Sequence, residues 1–120
     1  LGVALRELGA LQLETGRADE AVPLLRESLE IHRQAYSDTS RATAITEGLL
    51  GAGLTAQGAY PEAEEHLLRT YDTWKDQNDS TNSYLQTTLS RLATLYEAWG
   101  KSEEAARYQS ELVLDVSPQH

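Results

Sequence analysis

Residues 50–63 read Leu50-Gly51-Ala52-Gly53-Leu54-Thr55-Ala56-Gln57-Gly58-Ala59-Tyr60-Pro61-Glu62-Ala63. A Leu-Gly pair is followed by a lone glycine, then by Glu-Ala. The same frame stands earlier as Leu8-Gly9, Gly16 and Glu20-Ala21, and later as Leu92-Ala93, Gly100 and Glu104-Ala105. Gly16, Gly58 and Gly100 recur at a spacing of 42 residues with no gap. A fixed period of this size marks a stacked array of identical units.

Helical periodicity flanks each glycine. Ala4, Leu5, Leu8 and Leu11 recur at i, i+3 and i+4, which predicts a helix over about 2–15. Gly16 ends it, because glycine takes the left-handed conformation of a helix C-terminus without a Cβ penalty. Asp19 and Glu20 then open a second helix at the positive end of its dipole, with Pro23 in about its first turn. Its apolar stripe is Ala21, Leu24, Leu25, Ser28, Leu29 and His32. Tyr36-Ser37-Asp38-Thr39-Ser40 supplies turn formers and N-cap candidates. The second unit predicts helices over about 41–57 and on to Lys75, with Pro61 at a helix start and Ala63, Leu67, Thr70, Tyr71 and Trp74 on one face. In the third unit, Leu85, Leu89, Leu92, Leu95, Tyr96 and Trp99 precede Gly100; Ser102 stands as the next N-cap, and Pro118 lies past the last helix. No stretch alternates long enough for a strand. The fold class is all-α: three antiparallel helix pairs in one domain over 1–120, with units at roughly 2–43, 44–85 and 86–119.

Small residues are placed where the paired helices cross: Gly9 opposite Ala21, Gly51 opposite Ala63 and Ala93 opposite Ala105. They allow an approach toward ~8 Å. Gly51→Leu is therefore expected to unfold the domain. Gly48 and Gly53 have no such reason in the sequence, and each interior glycine costs a helix roughly 1 kcal/mol. Gly53→Ala is expected to be neutral or stabilising.

This pattern resembles the tetratricopeptide repeat, W-x2-L-G-x2-Y…A-x3-F…P. The matching residues are Leu5, Leu8, Gly9, Gln12, Ala21 and Leu25; then Glu47, Leu50, Gly51, Leu54, Ala63 and Leu67; then Leu89, Leu92, Ala93, Tyr96, Ala105 and Gln109. The Trp is missing from every unit, the period exceeds the usual ~34, and the first two units lack the closing Pro. Those departures resemble the long repeats of kinesin light chains and of bacterial proteins, and the third unit is similar to arrays that follow the kinase domain of bacterial Ser/Thr protein kinases. The resemblance implies an α-solenoid, a right-handed superhelix whose first helices line a concave groove. The implied groove residues are Val3, Arg6, Ala10, Leu13 and Glu14; Ile45, Gly48, Ala52, Thr55 and Ala56; and Thr87, Ser90, Thr94, Glu97 and Ala98. The implied function is a non-catalytic module that binds a protein or peptide segment. The rivals are assembly with itself and substrate docking for a signalling kinase.

Composition narrows the partner. The chain has 120 residues, a net charge of −9 and no Cys. Nucleic acid and anionic membranes are poor matches for that charge; a neutral or basic protein fits better. No apolar run spans a bilayer, and the expected location is the cytoplasm. Residue 1 is Leu, which suggests a piece of a longer product. His32, His66 and His120 lack i, i+4 partners of metal-binding type, and Glu62–His66 reads as an ordinary surface pair. The neighbouring carboxylates Glu64-Glu65 and Glu103-Glu104 do not face each other and suit helix starts. No enzyme activity, cofactor or metal is expected. Trp74 and Trp99 read as packing residues rather than ligand platforms. The ends of the array are apolar: Leu1, Val3, Ala4, Leu5 and Leu8 at the start, and Tyr108, Leu112, Val113 and Val116 on the last helix. The latter are expected to mediate self-association as a closed homodimer.

Arg6 and Arg91 are suited to grip a terminal carboxylate, but Ala10 and Leu49 stand where the clamp type of this repeat carries Asn. The groove is therefore expected to form no micromolar complex with a free acidic C-terminal peptide that depends on the terminal carboxylate; titration of the free-acid and amidated peptides checks this.

Overall fold

The structure, a computed structural model, describes residues 1–37, 40–76 and 83–116, with side chains described through 112. It contains helices α1 (Gly2–Glu14), α2 (Ala18–Ala35), α3 (Arg41–Ala56), α4 (Tyr60–Lys75), α5 (Ser83–Trp99) and α6 (Ser102–Val116). Among the described residues there is no strand. Each helix packs on its sequence neighbour, and α3 also touches α1 and α5. The result is a stack of three helix pairs measuring 43 × 30 × 23 Å.

One turn is built three times. Gly16, Gly58 and Gly100 have φ of 76°, 81° and 82°. The amide after each reaches back to a carbonyl five residues earlier: Arg17 N–H donates to Gln12, Ala59 to Leu54 and Lys101 to Tyr96, at 2.7, 2.9 and 2.8 Å. This is the Schellman closure that a left-handed residue permits. The carbonyls of Arg17, Ala59 and Lys101 then accept from Ala21, Ala63 and Ala105, starting the second helix at once. α3 begins on Ser40, whose Oγ accepts from the Thr43 amide at 3.1 Å. Two details differ from the sequence reading. Ser102 is the first residue of α6 rather than its cap. Pro23 lies inside α2 beyond its first turn, on the exposed side where water can serve the freed carbonyl.

The core runs along the contacts within and between pairs. Ala21, Leu25, Ala63, Leu67, Leu89, Leu92 and Leu95 are fully buried, and Trp74 is nearly so. The close crossings exist; the nearest side chain at Gly9 and at Gly51 is a leucine, and the Ala63 carbonyl also lies 3.5 Å from a Cβ placed on Gly51. A Cβ on Gly9 would stand 2.7 Å from Leu25 Cγ, and one on Gly51 would stand 2.6 Å from Leu67 Cγ. In the third pair the corresponding partner is Gln109, which is exposed and donates to Glu97 at 2.8 Å. With no leucine pressing inward, Ala93 can carry its methyl group.

The expectation for Gly53 is corrected by its surroundings. It is buried, and a Cβ there would meet Val22 Cγ2 at 2.9 Å and Leu13 Cδ2 at 3.4 Å. Val22 is β-branched and stiff about χ1, so it cannot swing clear. Gly53 is where α3 passes close to the first pair. Gly48 faces the far end of a long side chain instead, Arg91 Nη1 at 2.8 Å from the added Cβ.

Thermal melts of three alanine variants separate these cases. Gly51→Ala and Gly53→Ala are expected to melt several degrees below the parent, because overpacking of ~1–3 kcal/mol exceeds the helix-propensity gain of ~1 kcal/mol. Gly48→Ala is expected to melt at or above the parent.

Candidate functional site

The first helices α3 and α5 lie side by side with small or hydroxylated residues facing the crevice between them. Ala52, Thr55 and Ala56 from α3 meet Ser90 and Thr94 from α5 around a recess of ≈ 190 Å³. A second recess of ≈ 190 Å³ lies toward the other end of the same crevice, walled by Ile45, Leu49, Trp74, Tyr84 and Thr87. Arg91 lines both. Side-chain size explains the crevice: alanine, serine and threonine are too short to fill it.

Arg91 is half-buried, and no hydrogen bond or ion pair to it is found among the described residues. Burial holds its pKa below the ordinary arginine value. Gly48 makes the space for its guanidinium. Six of the other arginines are engaged, and Arg6 on α1 has no such partner among the described residues. Arg26 forms a two-pronged bond to Glu62 at 2.6 and 3.0 Å. Arg41 lies 5.3 Å from the Trp74 ring and 5.5 Å from the Tyr84 ring, which stack on each other. Arg107 covers Tyr108.

Other groove residues expected from the sequence are scattered. Ile45 and Thr87 share the second recess. Thr55 donates its hydroxyl to the Gly51 carbonyl at 2.8 Å, so its one donor is committed to α3. Glu97 accepts from Gln109 of its own pair. Leu13 and Ala56 border a separate recess of ≈ 400 Å³ near the first turn, with Arg17 and Asp19. Arg6 and Ala10 are half-buried on α1, while Val3, Glu14 and Ala98 are exposed, and none of these five lines a described recess.

Of the residues expected to mediate self-association, Tyr108 and Leu112 have described side chains. Tyr108 is 5% exposed. Its ring packs edge-on against Tyr71 at 5.6 Å and stacks on Tyr96 at 5.7 Å. Leu112 packs against the core. The Val113 and Val116 side chains and His120 lie outside the described residues. Trp99 stands between Tyr60 and Tyr96 with Lys101 over its ring at 3.9 Å. Among the described residues, the exposed large aliphatic side chains are Leu1 and, on α1, Val3, Leu8 and Leu11; Tyr36 and Tyr84 are exposed aromatics.

On the opposite side of the stack a charged cluster forms that the sequence reading missed. Glu47 is 1% exposed. Its Oε2 accepts from Arg69 at 2.8 Å, His66 Nδ1 at 3.0 Å and Arg33 at 3.3 Å. His66, read as a surface residue, is buried. Glu47 occupies the place of the family's Trp, and that substitution was the available signal: a carboxylate at a core position needs cations around it. Glu64 and Glu65 are engaged as well, by the Tyr96 hydroxyl at 2.7 Å and Arg69 at 3.4 Å. Among the described residues, no group of three or more His, Cys, Asp and Glu is placed to hold a metal ion, and no helix is long and apolar enough to cross a membrane.

A family model described as tetratricopeptide repeat matches residues 1–76 and again residues 43–113. Among solved structures, the chain is similar to a Podosopora anserina protein described as a kinesin light chain with nearly identical TPR-like repeats. The TM-score is 0.86 over 98% of this chain, at 21% sequence identity. At that identity the likeness concerns the fold alone. The chain spans 56% of the length of that structure. No curated protein matches the sequence.

Two outcomes follow for the charged interior. Glu47→Ala strands its cations and is expected to cost ~3–5 kcal/mol, whereas Arg69→Ala, at a half-exposed position, costs about 1 kcal/mol or less; urea unfolding measures both. His32 is buried and hydrogen-bonded to Thr46 Oγ1 at 2.9 Å. Burial, with Arg6 nearby, holds its pKa below the ordinary 6.5. The unfolded chain therefore binds more protons below about pH 6.5. The His32 contribution is complete above that pH and is lost as the pH falls through the lower folded-state pKa. The melting temperature should drop on acidification, and less so in His32→Gln.

Proposed function

Because this chain belongs to the tetratricopeptide repeat family, we propose that its concave face is a binding site for a segment of another protein and that it performs no chemistry. Repeats of this family are generally protein-interaction modules. The observation that carries the reading is the crevice between α3 and α5, lined by side chains too small to fill it. Such a surface accepts side chains from a bound segment without rearrangement of the backbone. The net charge of −9 favours encounter with a neutral or basic protein.

Selection from a displayed peptide library tests it. Binders are expected, and Thr94→Trp or Ser90→Trp, which place a bulky ring over the crevice from exposed positions, should abolish their binding without lowering the melting temperature. Glu30→Trp, on the exposed side of α2, should leave binding intact. Failure to select any binder, or binders indifferent to both crevice variants, would overturn the reading.

A further inference from the structure

Burying a guanidinium beside small apolar side chains is unfavourable unless something negative compensates it. Arg33 and Arg69 are compensated by Glu47, and Arg26 by Glu62. Arg91 is half-buried in the crevice, and no carboxylate among the described residues bonds to it. The fold nonetheless makes room for it. Gly48 sits in the middle of α3, where glycine costs a helix about 1 kcal/mol against alanine, and the space it leaves is the space the Arg91 head uses. A side chain of this kind, seated between two recesses, is a built feature of the crevice.

We infer that Arg91 receives the side-chain carboxylate of an Asp or Glu within the bound segment, flanked two residues to either side by aliphatic residues that enter the two recesses. The inference rests on the groove reading above. The flanking pattern comes from geometry. The recesses lie on opposite sides of Arg91, bounded on α5 by Thr87 in one and Thr94 in the other. At 1.5 Å per helical residue these positions are about 10 Å apart. An extended segment places every second side chain on one face at about 3.3 Å per residue, so positions two before and two after the acid lie about 13 Å apart. A chain end at Arg91 would leave one recess empty, which favours an internal acid over a terminal carboxylate. The overall charge of −9 does not oppose this: a single acid bonded to a half-buried guanidinium is a short-range, charge-assisted contact, while net charge acts on long-range encounter.

The peptides selected on the parent protein are the probes. Their consensus is expected to hold an Asp or Glu with aliphatic residues at the second positions on either side. Arg91→Gln should weaken their binding at least about tenfold, the worth of one hydrogen-bonded charge. Replacing the peptide acid by its amide should weaken binding to the parent by a similar factor and to Arg91→Gln hardly at all. Gly48→Ala should also weaken binding while keeping the fold, since its methyl group takes the place of the guanidinium. Amidating the peptide C-terminus should change nothing. Circular dichroism melts confirm that Arg91→Gln is folded. Binders that are blocked by Thr94→Trp but carry no fixed acid and ignore Arg91→Gln would overturn this inference and leave the groove reading standing. Affinity lost on C-terminal amidation would overturn the assignment to an internal residue. Binders indifferent to Thr94→Trp and Arg91→Gln alike, or an empty selection, would overturn both.

Discussion

The contact of Leu67 with the bare backbone of α3 at Gly51, repeated by Leu25 at Gly9, sets the distance between the helices of the first two pairs. A leucine can press that far only where the facing residue has no Cβ. Once the spacing is fixed, the left-handed turn at Gly16 or Gly58 fixes the angle at which the chain returns. Each pair then has one defined shape, and pairs of one shape stack in one way. The first helices gather on one side and leave a crevice, while α2 and α4 gather on the other. The third pair reaches the same form by relaxing both partners together, with Ala93 for glycine and an outward-facing Gln109 for leucine.

Most of this architecture is legible in the residues because it depends on local chemistry. Positive φ demands glycine, helix starts tolerate proline and favour acids, and a repeated crossing demands small residues at a repeated position. The element ends therefore fall within a residue or two of their expected places. The parts that were not legible depend on neighbours distant in sequence. Gly53 looks idle within α3, yet it clears Val22 from the preceding pair. Gly48 looks equally idle until Arg91 is brought against it. Tyr108 on an end helix reads as exposed, but Tyr71 and Tyr96 close over it. The first-helix positions named from the sequence divide between surroundings that only the fold reveals. Ala52, Thr55, Ser90 and Thr94 do converge, whereas Leu13 lines a different recess and Glu97 is held by its own pair. Arg91 breaks the repeat, its counterparts being Leu49 and Glu7, so periodicity gives no hint of it.

The two sides of the stack handle charge in opposite ways. Behind the crevice, one buried carboxylate draws in two arginines and a histidine, and the Arg26–Glu62 pair bridges α2 to α4 beside it. Arg33 and Arg26 of α2 cross to the second pair and tie successive units together, whereas Arg69 and His66 bind within the second pair; all are committed to the fold. The arginine in the crevice contributes no such tie among the described residues. The same side-chain type thus stands on both faces of α3, tied into the fold on one and, on the other, in the place proposed for recognition.

Both tryptophans lie at one boundary. Trp74 of α4 stacks on Tyr84 of α5, and Trp99 of α5 packs on Tyr60 of α4. The chain has two tryptophans, and neither is in the first unit. Intrinsic fluorescence is therefore a local gauge of the junction between the second and third units. Separation of α4 from α5 would change the surroundings of both indoles at once. Fraying of α1 from α2 would be silent in emission, although a signal from the whole helical backbone would record it. Divergence between the two signals during unfolding would thus have a built-in meaning: it would show the array opening one unit at a time.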